Sequence, residues 1–373
     1  MLRFNITQLF RAVLIALLFS IGSQKSGFAQ IVPDDTLGAE SSVLGNGRVD
    51  DNAVQMIEGG ATRGGNLFHS FREFNIDVGE RVYFANPANI DNVLSRVTGN
   101  SLTTIEGVLG VDGSANLFLL NPNGIVFGPE AQLDIEGSFT ASTAGSFEFA
   151  DGEAFSAITS ETSLLSVSVP LGIQFNTRPQ GNLTNEAILA VGPGEDLALL
   201  GNKVSTTALL SAPEGTAEVW GNRIELVERE RPPDTNPIDN TEVIFRAANG
   251  IIVPNVVDNE LRFLDGIGDI QLIADADTDG VGNLVMRDVQ DSLRTNGRNL
   301  ASSGANITLG EINTSVLGDA VNGGNIFISS ISGDISTQDL DSSSFSYSGD
   351  SGNAGDIFIS SNSRDISTQD LSS

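Results

Sequence analysis

The sequence predicts an all-β protein, a parallel β-helix (β-solenoid) in which short strands stack coil upon coil. Two observations predict this fold. Short apolar runs separated by glycine, asparagine, aspartate or serine recur along the chain, and no window beyond the N-terminus has the periodicity of a long amphipathic helix. The C-terminal third also repeats one strand-plus-strand signature, which is typical of solenoid units that bury apolar faces only by stacking.

The N-terminal segment 1–29 has the features of a signal peptide. Arg3 and Arg11 precede an apolar run over 12–21, and small residues end the segment at Ala29. The run is too short to remain in a bilayer as a membrane helix. We therefore leave 1–29 out of the fold and expect the rest of the chain to be exported and soluble.

Composition excludes two other classes of protein. The chain has no cysteine, so no disulfide can hold the fold together. Cleavage of the signal peptide would remove three of the 19 basic residues and no acidic one, which changes the formal net charge from −29 to −32. Because so acidic a chain repels phosphate, nucleic acid is excluded as a partner.

The strand-like runs occur from one end of the mature chain to the other. They are Val82–Phe84, Val93–Val97, Leu117–Leu120, Ile125–Phe127, Ile188–Val191, Leu197–Leu200, Val243–Phe245, Ile270–Ile273 and Ile326–Ile328. With ~22 residues in a coil and ~4.8 Å between stacked strands, the mature chain would form about 15 coils and a rod of roughly 70 Å.

The internal repeat consists of two paired segments that recur at one constant offset. Segments 325–330 and 334–340 recur as 356–361 and 365–371. A looser copy at 306–314 lies 19 residues before the first. We interpret these copies as successive coils of one elongated body.

A proline-rich stretch separates two parts of this body. Pro232 and Pro233 interrupt the strand pattern, since proline cannot donate to a central ladder. We predict a solenoid domain over 30–228, a loop or junction over 229–240, and continuing β-solenoid repeats over 241–373.

A set of short motifs in a fixed order lies within 66–143. They are Phe71–Ile76, Leu94–Gly99, Ile105–Gly107, Asn121–Ile125, Phe127–Gly128 and Ala141–Thr143. In this order, behind a signal peptide and ahead of a solenoid, the stretch resembles the haemagglutination-activity, or secretion, domain of filamentous haemagglutinins. A fainter likeness extends over 31–201.

The resemblance implies a fold, a partner and a location. The fold is a right-handed parallel β-helix with N-terminal capping strands and extra-helical hairpins. The partner is an outer-membrane two-partner-secretion transporter with periplasmic receptor domains. The location is outside the cell, secreted or on the surface of a Gram-negative-type bacterium.

The resemblance also implies that the motif Asn121-Pro122-Asn123-Gly124-Ile125 is needed for secretion. Its residues have the chemistry of a tight turn, in which asparagine caps, proline presets φ and glycine closes the turn. We interpret the motif as a corner between two strands rather than as a contact with the partner.

Such domains often carry a second motif, Asn-Pro-Asn-Leu, upstream of the first. The corresponding segment here contains Asn86, Pro87 and Asn89 but is degenerate, with Ala88 and Ile90 in the remaining positions. We therefore carry over no role for it.

Asp275, Asp277 and Asp279, followed by Gly280, match the first half of a calcium loop. The position that should hold a bidentate glutamate is Met286. This incomplete motif favours an acidic surface turn over a metal site.

The sequence does not favour catalysis. His69 is the only histidine and lies between phenylalanines, which is typical of a packed or surface residue rather than of a catalytic base. There is no nucleophile elbow, cysteine nucleophile or phosphate-binding loop, so we expect no enzyme activity and no cofactor. Trp220 and the 20 phenylalanines are expected in the core or in stacks.

Three functions remain open. The leading hypothesis is an exoprotein, or the front of a longer one, whose N-terminal β-helix directs its own secretion. The alternative from the enzyme class is a β-helix polysaccharide lyase or glycosidase, which needs clustered carboxylates with a cationic helper. A third is a structural adhesin for a host-cell, carbohydrate or neighbouring-cell ligand.

We expect the exported protein to begin at Gln30, because Gly27 and Ala29 give the small-residue spacing that signal peptidase prefers. Intact-mass spectrometry of the exported chain measures this directly. A start more than a few residues from Gln30 would contradict the assignment.

Overall fold

The computed structural model describes residues 30–158, 165–166, 168, 170–174, 181–207, 210–227, 241–253, 260–262, 268–288, 290, 292–295, 297–317, 321–346, 349–362 and 364–373. The predicted signal peptide over 1–29 and the predicted junction over 229–240 lie outside these residues. Within them there is one 3-10 helix, Gly38–Glu40, and no α-helix. None of the described segments forms a helix that is both long and apolar enough to span a membrane.

The strands of the first half are short and follow one another closely. They are β1 Ile31–Pro33, β2 Ser42–Val49, β3 Asn52–Gly59, β4 Ala61–Arg63, β5 Asn66–Phe74, β6 Arg81–Ala85, β7 Asn92–Val97, β8 Thr103–Ile105, β9 Val108–Asp112, β10 Asn116–Leu120, β11 Ile125–Phe127, β12 Gln132–Asp134, β13 Phe139–Ser142, β14 Ser146–Phe149, β15 Ala154–Ser156, β16 Pro170–Gln174, β17 Leu183–Asn185, β18 Leu189–Ala190, β19 Leu197–Thr207, β20 Leu210–Ser211 and β21 Thr216–Val227.

The strands of the second half continue in the same manner. They are β22 Glu242–Ala247, β23 Gly250–Val253, β24 Glu260–Arg262, β25 Ile270–Ile273, β26 Asn283–Met286, β27 Ser292–Arg294, β28 Leu300–Gly304, β29 Ile307–Thr308, β30 Glu311–Asn313, β31 Val316–Leu317, β32 Ile326–Ser330, β33 Ile335–Ser336, β34 Leu340–Asp341, β35 Ser344–Phe345, β36 Ile357–Ser361, β37 Ile366–Ser367 and β38 Leu371–Ser372.

Parallel pairing assembles most of these strands into two long ladders and two shorter ones. The first contains β5, β7, β10, β13, β19, β21, β22, β25, β28, β32 and β36. The second contains β8, β11, β17, the ends of β19 and β21, β23, β26, β29, β33 and β37. Of the shorter ladders, one contains β3, β6, β9 and β12. The other contains β24, β27, β30, β34 and β38. Successive coils add strands to these ladders, so the predicted all-β parallel β-helix is confirmed.

The described residues form fewer coils than the sequence suggested. The first ladder contains eleven strands, and its shortest step joins Leu197 to Ala217. The longest of its regular steps joins Ile326 to Ile357. One step is an exception. Phe139 of β13 pairs with Leu197 of β19, and the separation along the chain is nearly twice that of the longest regular step. Longer coils and the insertion between β13 and β19 account for the difference from the expected number.

A continuous apolar stack runs through the first ladder. Successive strands place one apolar side chain directly over the previous one, and this column passes from β21 to β22 without a change of register. Its members are Leu67, Val93, Leu117, Phe139, Leu197, Ala217, Val243, Ile270, Leu300, Ile326 and Ile357. Burial of each of the larger aliphatic side chains contributes roughly 1.5 to 3 kcal/mol.

The internal repeat stacks as two adjacent coils, since Ile326 pairs with Ile357 and Ile335 with Ile366. The looser copy at 306–314 does not match the repeat in the way that its sequence suggests. Its first strand corresponds to the second strand of the repeat and not to the first. Ile307 pairs with Ile335 in the second ladder. Both strands of a coil have an apolar residue after asparagine or aspartate, so the pattern alone does not distinguish them.

Polar side chains at the coil corners hold neighbouring coils in register. Asn92 Nδ2 donates to Asn66 Oδ1 at 3.0 Å, and Asn116 Nδ2 donates to Asn92 Oδ1 at 3.1 Å. Further along, the backbone N–H of Asn325 donates to Asn299 Oδ1 at 2.8 Å. Such bonds oppose slippage, because a shift of one residue would break them and reverse every side chain.

Antiparallel strands cover the N-terminal end of the solenoid, as the resemblance implied. Strands β1 and β4 pair antiparallel with β5, and the β2–β3 hairpin adds to β6 through β3. The first coil therefore has cap strands as the partners of β5 and β6 on this side, and β2 forms the outer edge. Covered edges prevent unwanted pairing with other chains.

An extra-helical antiparallel sheet, β14 with β15 and β16, packs on the outer face of the first coils. Phe155 meets Phe68 edge-on at 4.9 Å between ring centroids, and Phe147 meets Phe118 at 5.6 Å. These rings form a second apolar cluster outside the solenoid core. The predicted extra-helical hairpin is thus present and buries phenylalanines that face away from the coil interior.

A buried polar network ties this sheet to the N-terminal cap. Arg96 donates to Ser70 Oγ at 3.0 Å and to the carbonyl of Ser156 at 2.5 Å, and its guanidinium lies 4.5 Å from the ring of Phe155. Burial raises the pKa of the Asp34 carboxyl, but hydrogen bonds from neighbouring hydroxyls, including Ser70, outweigh that effect and hold the pKa below its usual value.

His69 lies in β5 and is fully buried, as predicted. Its Nδ1 lies 2.9 Å from Ser42 Oγ, and Phe84 packs 5.1 Å from its ring. Burial lowers the pKa of His69 to about 3. The imidazole is therefore neutral near neutral pH and is shielded from any substrate.

This burial predicts a pH dependence of stability. Between about pH 6.5 and the depressed folded pKa the unfolded chain binds a proton at His69 that the folded chain excludes. The free energy of unfolding should therefore fall by about 1.4 kcal/mol for each pH unit below 6.5 from this group. Denaturant unfolding at several pH values should show a shallower fall for His69→Gln. Equal slopes for the two proteins would contradict the assignment.

Candidate functional site

The motif Asn121–Ile125 forms the corner between β10 in the first ladder and β11 in the second. The backbone N–H of Gly124 donates to the carbonyl of Asn121 at 3.1 Å, which closes a four-residue turn. The predicted corner is therefore present. Leu120 and Ile125, on either side of the turn, are fully buried.

Asn121 links the turn to the preceding coil. Its Nδ2 donates to the carbonyl of Ser101 and to Thr103 Oγ1, both at 3.0 Å, while its Oδ1 accepts the backbone N–H of Asn123 at 3.0 Å. Asn123 Nδ2 donates to the carbonyl of Gly99 at 2.8 Å. Because Asn121 is fully buried, loss of this amide would leave several polar groups without partners.

The turn is bound to the next coil through its backbone. The carbonyl of Pro122 accepts the N–H of Gly181 at 2.7 Å, and the N–H of Ile125 donates to the carbonyl of Asn182 at 3.1 Å. Gly124 has φ +128°, and a Cβ on it would lie 3.1 Å from the carbonyl oxygen of Asn182. A side chain here would have a strained backbone and would press against the coil above.

Little of the motif is available to a partner. Asn121, Gly124 and Ile125 are buried, Pro122 is half-buried, and only Asn123 is exposed. Its exposed amide is already hydrogen-bonded within the turn and to Gly99. The site therefore holds two coils together and contributes one polar side chain to the surface.

The degenerate second motif forms a similar turn between β6 and β7. The N–H of Ile90 donates to the carbonyl of Pro87 at 3.3 Å. Asn89, with φ +68°, is the third residue of this turn, whereas Gly124 is the fourth residue of the turn in the first motif. Asparagine tolerates this left-handed region better than most residues. Pro87 and Asn89 are exposed, whereas Asn86 is half-buried.

The acidic segment forms the corner between β25 and β26. Asp277 and Asp279 are exposed, and Asp275 is buried. Each offers a carboxylate oxygen, and these three oxygens lie within 4.8 Å of one another. Met286 is buried in β26. The expected surface turn is present, and the structure brings its three carboxylates together.

A comparison with protein families identifies the chain. Residues 29–228, more than half of its length, match the family described as the TPS secretion domain, in which TPS denotes two-partner secretion. The chain belongs to this family. The TPS secretion domain includes the N-terminal cap, the motif turn and the extra-helical sheet.

Two solved structures are similar to the TPS chain. One is the secretion domain of filamentous hemagglutinin, 17% identical, and the other is the HMW1 secretion domain from Haemophilus influenzae, 16% identical. Each match covers 91% of this chain and 99% of the other, with a TM-score of 0.39. Among the curated proteins, none matches the chain.

The sequence motifs did not predict which residues of the neighbouring coils contact the turn. Gly99, at the end of the motif Leu94–Gly99, accepts a hydrogen bond from Asn123. Gly181 follows the insertion between β13 and β17, and a Cβ there would overlap the carbonyl group of Asn123. Gly99 lies in a recognisable motif, which is a sequence signal for this contact. Gly181 lies in no motif, so the sequence carries no signal for it.

Stability should respond more strongly to Gly124→Val than to Pro122→Ala. We expect about 1 to 3 kcal/mol of destabilisation from the strained backbone at Gly124 and about 0.4 to 1 kcal/mol from the freed φ at Pro122. Denaturant melts of the purified chain measure both. Gly172→Val is a suitable control, because a Cβ at Gly172 meets no atom within 4 Å. A Gly124→Val protein as stable as this control would contradict the turn's structural role.

Proposed function

We propose that this chain is an exoprotein whose TPS secretion domain directs export through an outer-membrane barrel transporter with periplasmic receptor domains. The observation that carries the proposal is the family match over 29–228. Membership of this family supports secretion as the primary role of the N-terminal β-helix. The proposed location is the cell surface or the medium of a Gram-negative-type bacterium.

The stacked architecture supports export of an unfolded chain. Each strand of the first ladder pairs with strands of other coils, as when Leu197 pairs with Ala217 and Ile326 with Ile357, so the fold contains few local contacts. Folds dominated by non-local pairing form slowly. A slowly folding chain remains extended during transport, and coil formation outside would then oppose its return.

We propose that Asn121–Ile125 acts in secretion through folding. The side chain of Asn121 is hydrogen-bonded to the preceding coil, and the backbones of Pro122 and Ile125 are hydrogen-bonded to the following coil. Without this corner the coils on both sides would lose their mutual register. Recognition by the transporter would instead rest on other surfaces of the N-terminal cap.

The proposed adhesin role has support in the C-terminal coils. A groove of about 470 Å³ is lined by Arg294, Asn313, Leu317, Asp341 and Phe345, among others. An exposed aromatic ring beside charged and amide groups suits the apolar and polar faces of a sugar. We propose a carbohydrate on a host or neighbouring cell as its ligand.

A non-enzymatic role is part of the same proposal. The family is one of secretion domains, and His69 is enclosed in the core. A β-helix lyase or glycosidase is the competing proposal. It would require a carboxylate pair and a cationic helper facing one groove, and activity on uronate polymers would favour it over an adhesin.

Secretion should fall more for Gly124→Val than for Pro122→Ala when the full chain is expressed with its transporter. We expect the loss to follow the lowered stability or refolding rate of each purified variant, because the turn acts through folding. Secreted protein, denaturant melts and titration against the periplasmic domains measure the three quantities, with Gly172→Val as the control. Normal stability together with abolished binding to those domains would contradict this account and favour direct recognition.

A further inference from the structure

The corner between β25 and β26 is longer than its counterparts in neighbouring coils. Nine residues, 274–282, separate these strands. Two residues separate β22 from β23, and two separate β28 from β29. The additional length of this corner contains the three alternating carboxylates of Asp275, Asp277 and Asp279.

Asp275 is held inside this corner in an incomplete hydrogen-bonding arrangement. The residue is 2% exposed, and its Oδ2 accepts the backbone N–H of Gly280 at 3.0 Å. Its Oδ1 is buried and has no hydrogen-bond partner in the described part of the chain. A buried carboxylate oxygen without a donor is costly unless it is protonated or bound to a cation.

The neighbouring charges add to this cost. One carboxylate oxygen from each of Asp275, Asp277 and Asp279 lies within 4.8 Å of the other two. Negative charges at this separation repel one another, most strongly where one of them is buried. A divalent cation among the three oxygens would supply the missing partner and offset the repulsion.

We propose that the loop 275–280 binds Ca²⁺ through carboxylate oxygens of Asp275, Asp277 and Asp279. Alternating carboxylates before a glycine are the arrangement with which calcium loops surround this hard cation. The backbone already has the required tight bend, with φ +57° at Thr278 and +84° at Gly280.

The affinity of this site is limited by the ligands that it lacks. Met286 stands where a bidentate glutamate would complete the loop, and its sulfur accepts the N–H of Gly310 at 3.3 Å. Water must fill the remaining coordination positions. The dissociation constant therefore belongs in the range of extracellular calcium modules, about 10⁻⁴ to 10⁻³ M.

Calcium titration of the full mature chain by isothermal calorimetry tests the site, with thermal unfolding in calcium or in chelator as the second measurement. We expect one binding event per chain and a higher midpoint of unfolding in millimolar calcium. Asp277→Asn should abolish both effects. Asp288→Asn, which removes the same charge from a partly exposed position just after β26, should retain them.

A structural role for the carboxylates predicts a different pattern. If Asp277 only shaped the loop, Asp277→Asn would lower the unfolding midpoint equally with calcium and with chelator. We expect its midpoint in chelator to equal or exceed that of the unmodified chain, because a like charge beside Asp275 is lost. Absence of calcium heat at millimolar concentration, equal stabilisation by magnesium, or equal loss in Asp288→Asn would overturn the proposal.

Discussion

Parallel hydrogen bonding between successive coils is the constraint on which the rest of this structure depends. Inside the first ladder a strand takes its backbone partners from the coil before and the coil after, as when Leu117 of β10 pairs with both Val93 and Phe139. A coil thus has no complete set of hydrogen bonds by itself. The apolar stack, the corner amides and the motif turn all serve to keep adjacent coils at one spacing and in one register.

The class of fold could be predicted because strand spacing and repetition are local properties of the sequence. Ile326 and Ile357 lie in nearly identical segments, and they pair in adjacent coils. The phase of less regular coils was not accessible in this way, as the misaligned Ile307 shows. Of the phenylalanines expected in the core or in stacks, Phe327 and Phe358 are not in the core but 42% and 59% exposed at paired positions of adjacent coils, because an alternating strand directs every second side chain outward.

The sequence predicted the local turn of the candidate site but not the residues of other coils that contact it. Turn chemistry in Asn121–Ile125 gave the corner and its glycine, since these preferences depend on adjacent residues. The partners of the turn come from the preceding coil, at Ser101, and from beyond the insertion, at Gly181. Which distant residues meet the turn depends on the number of residues in each coil. The insertion between β13 and β17 prevents this number from being determined from the sequence.

The same insertion divides assembly of the solenoid into two stages. After β13 has joined the stack, the whole segment 143–196 must become available before β19, the next strand of the first ladder, can add. The loop-closure entropy of this single step exceeds that of a coil of ~22 residues by roughly 0.9 kcal/mol, a several-fold slower addition. We therefore expect growth to slow at this step, which gives the sheet of β14, β15 and β16 time to pack onto the outer face of β5, β7 and β10. On this basis the first four coils would form one unit before later coils are added.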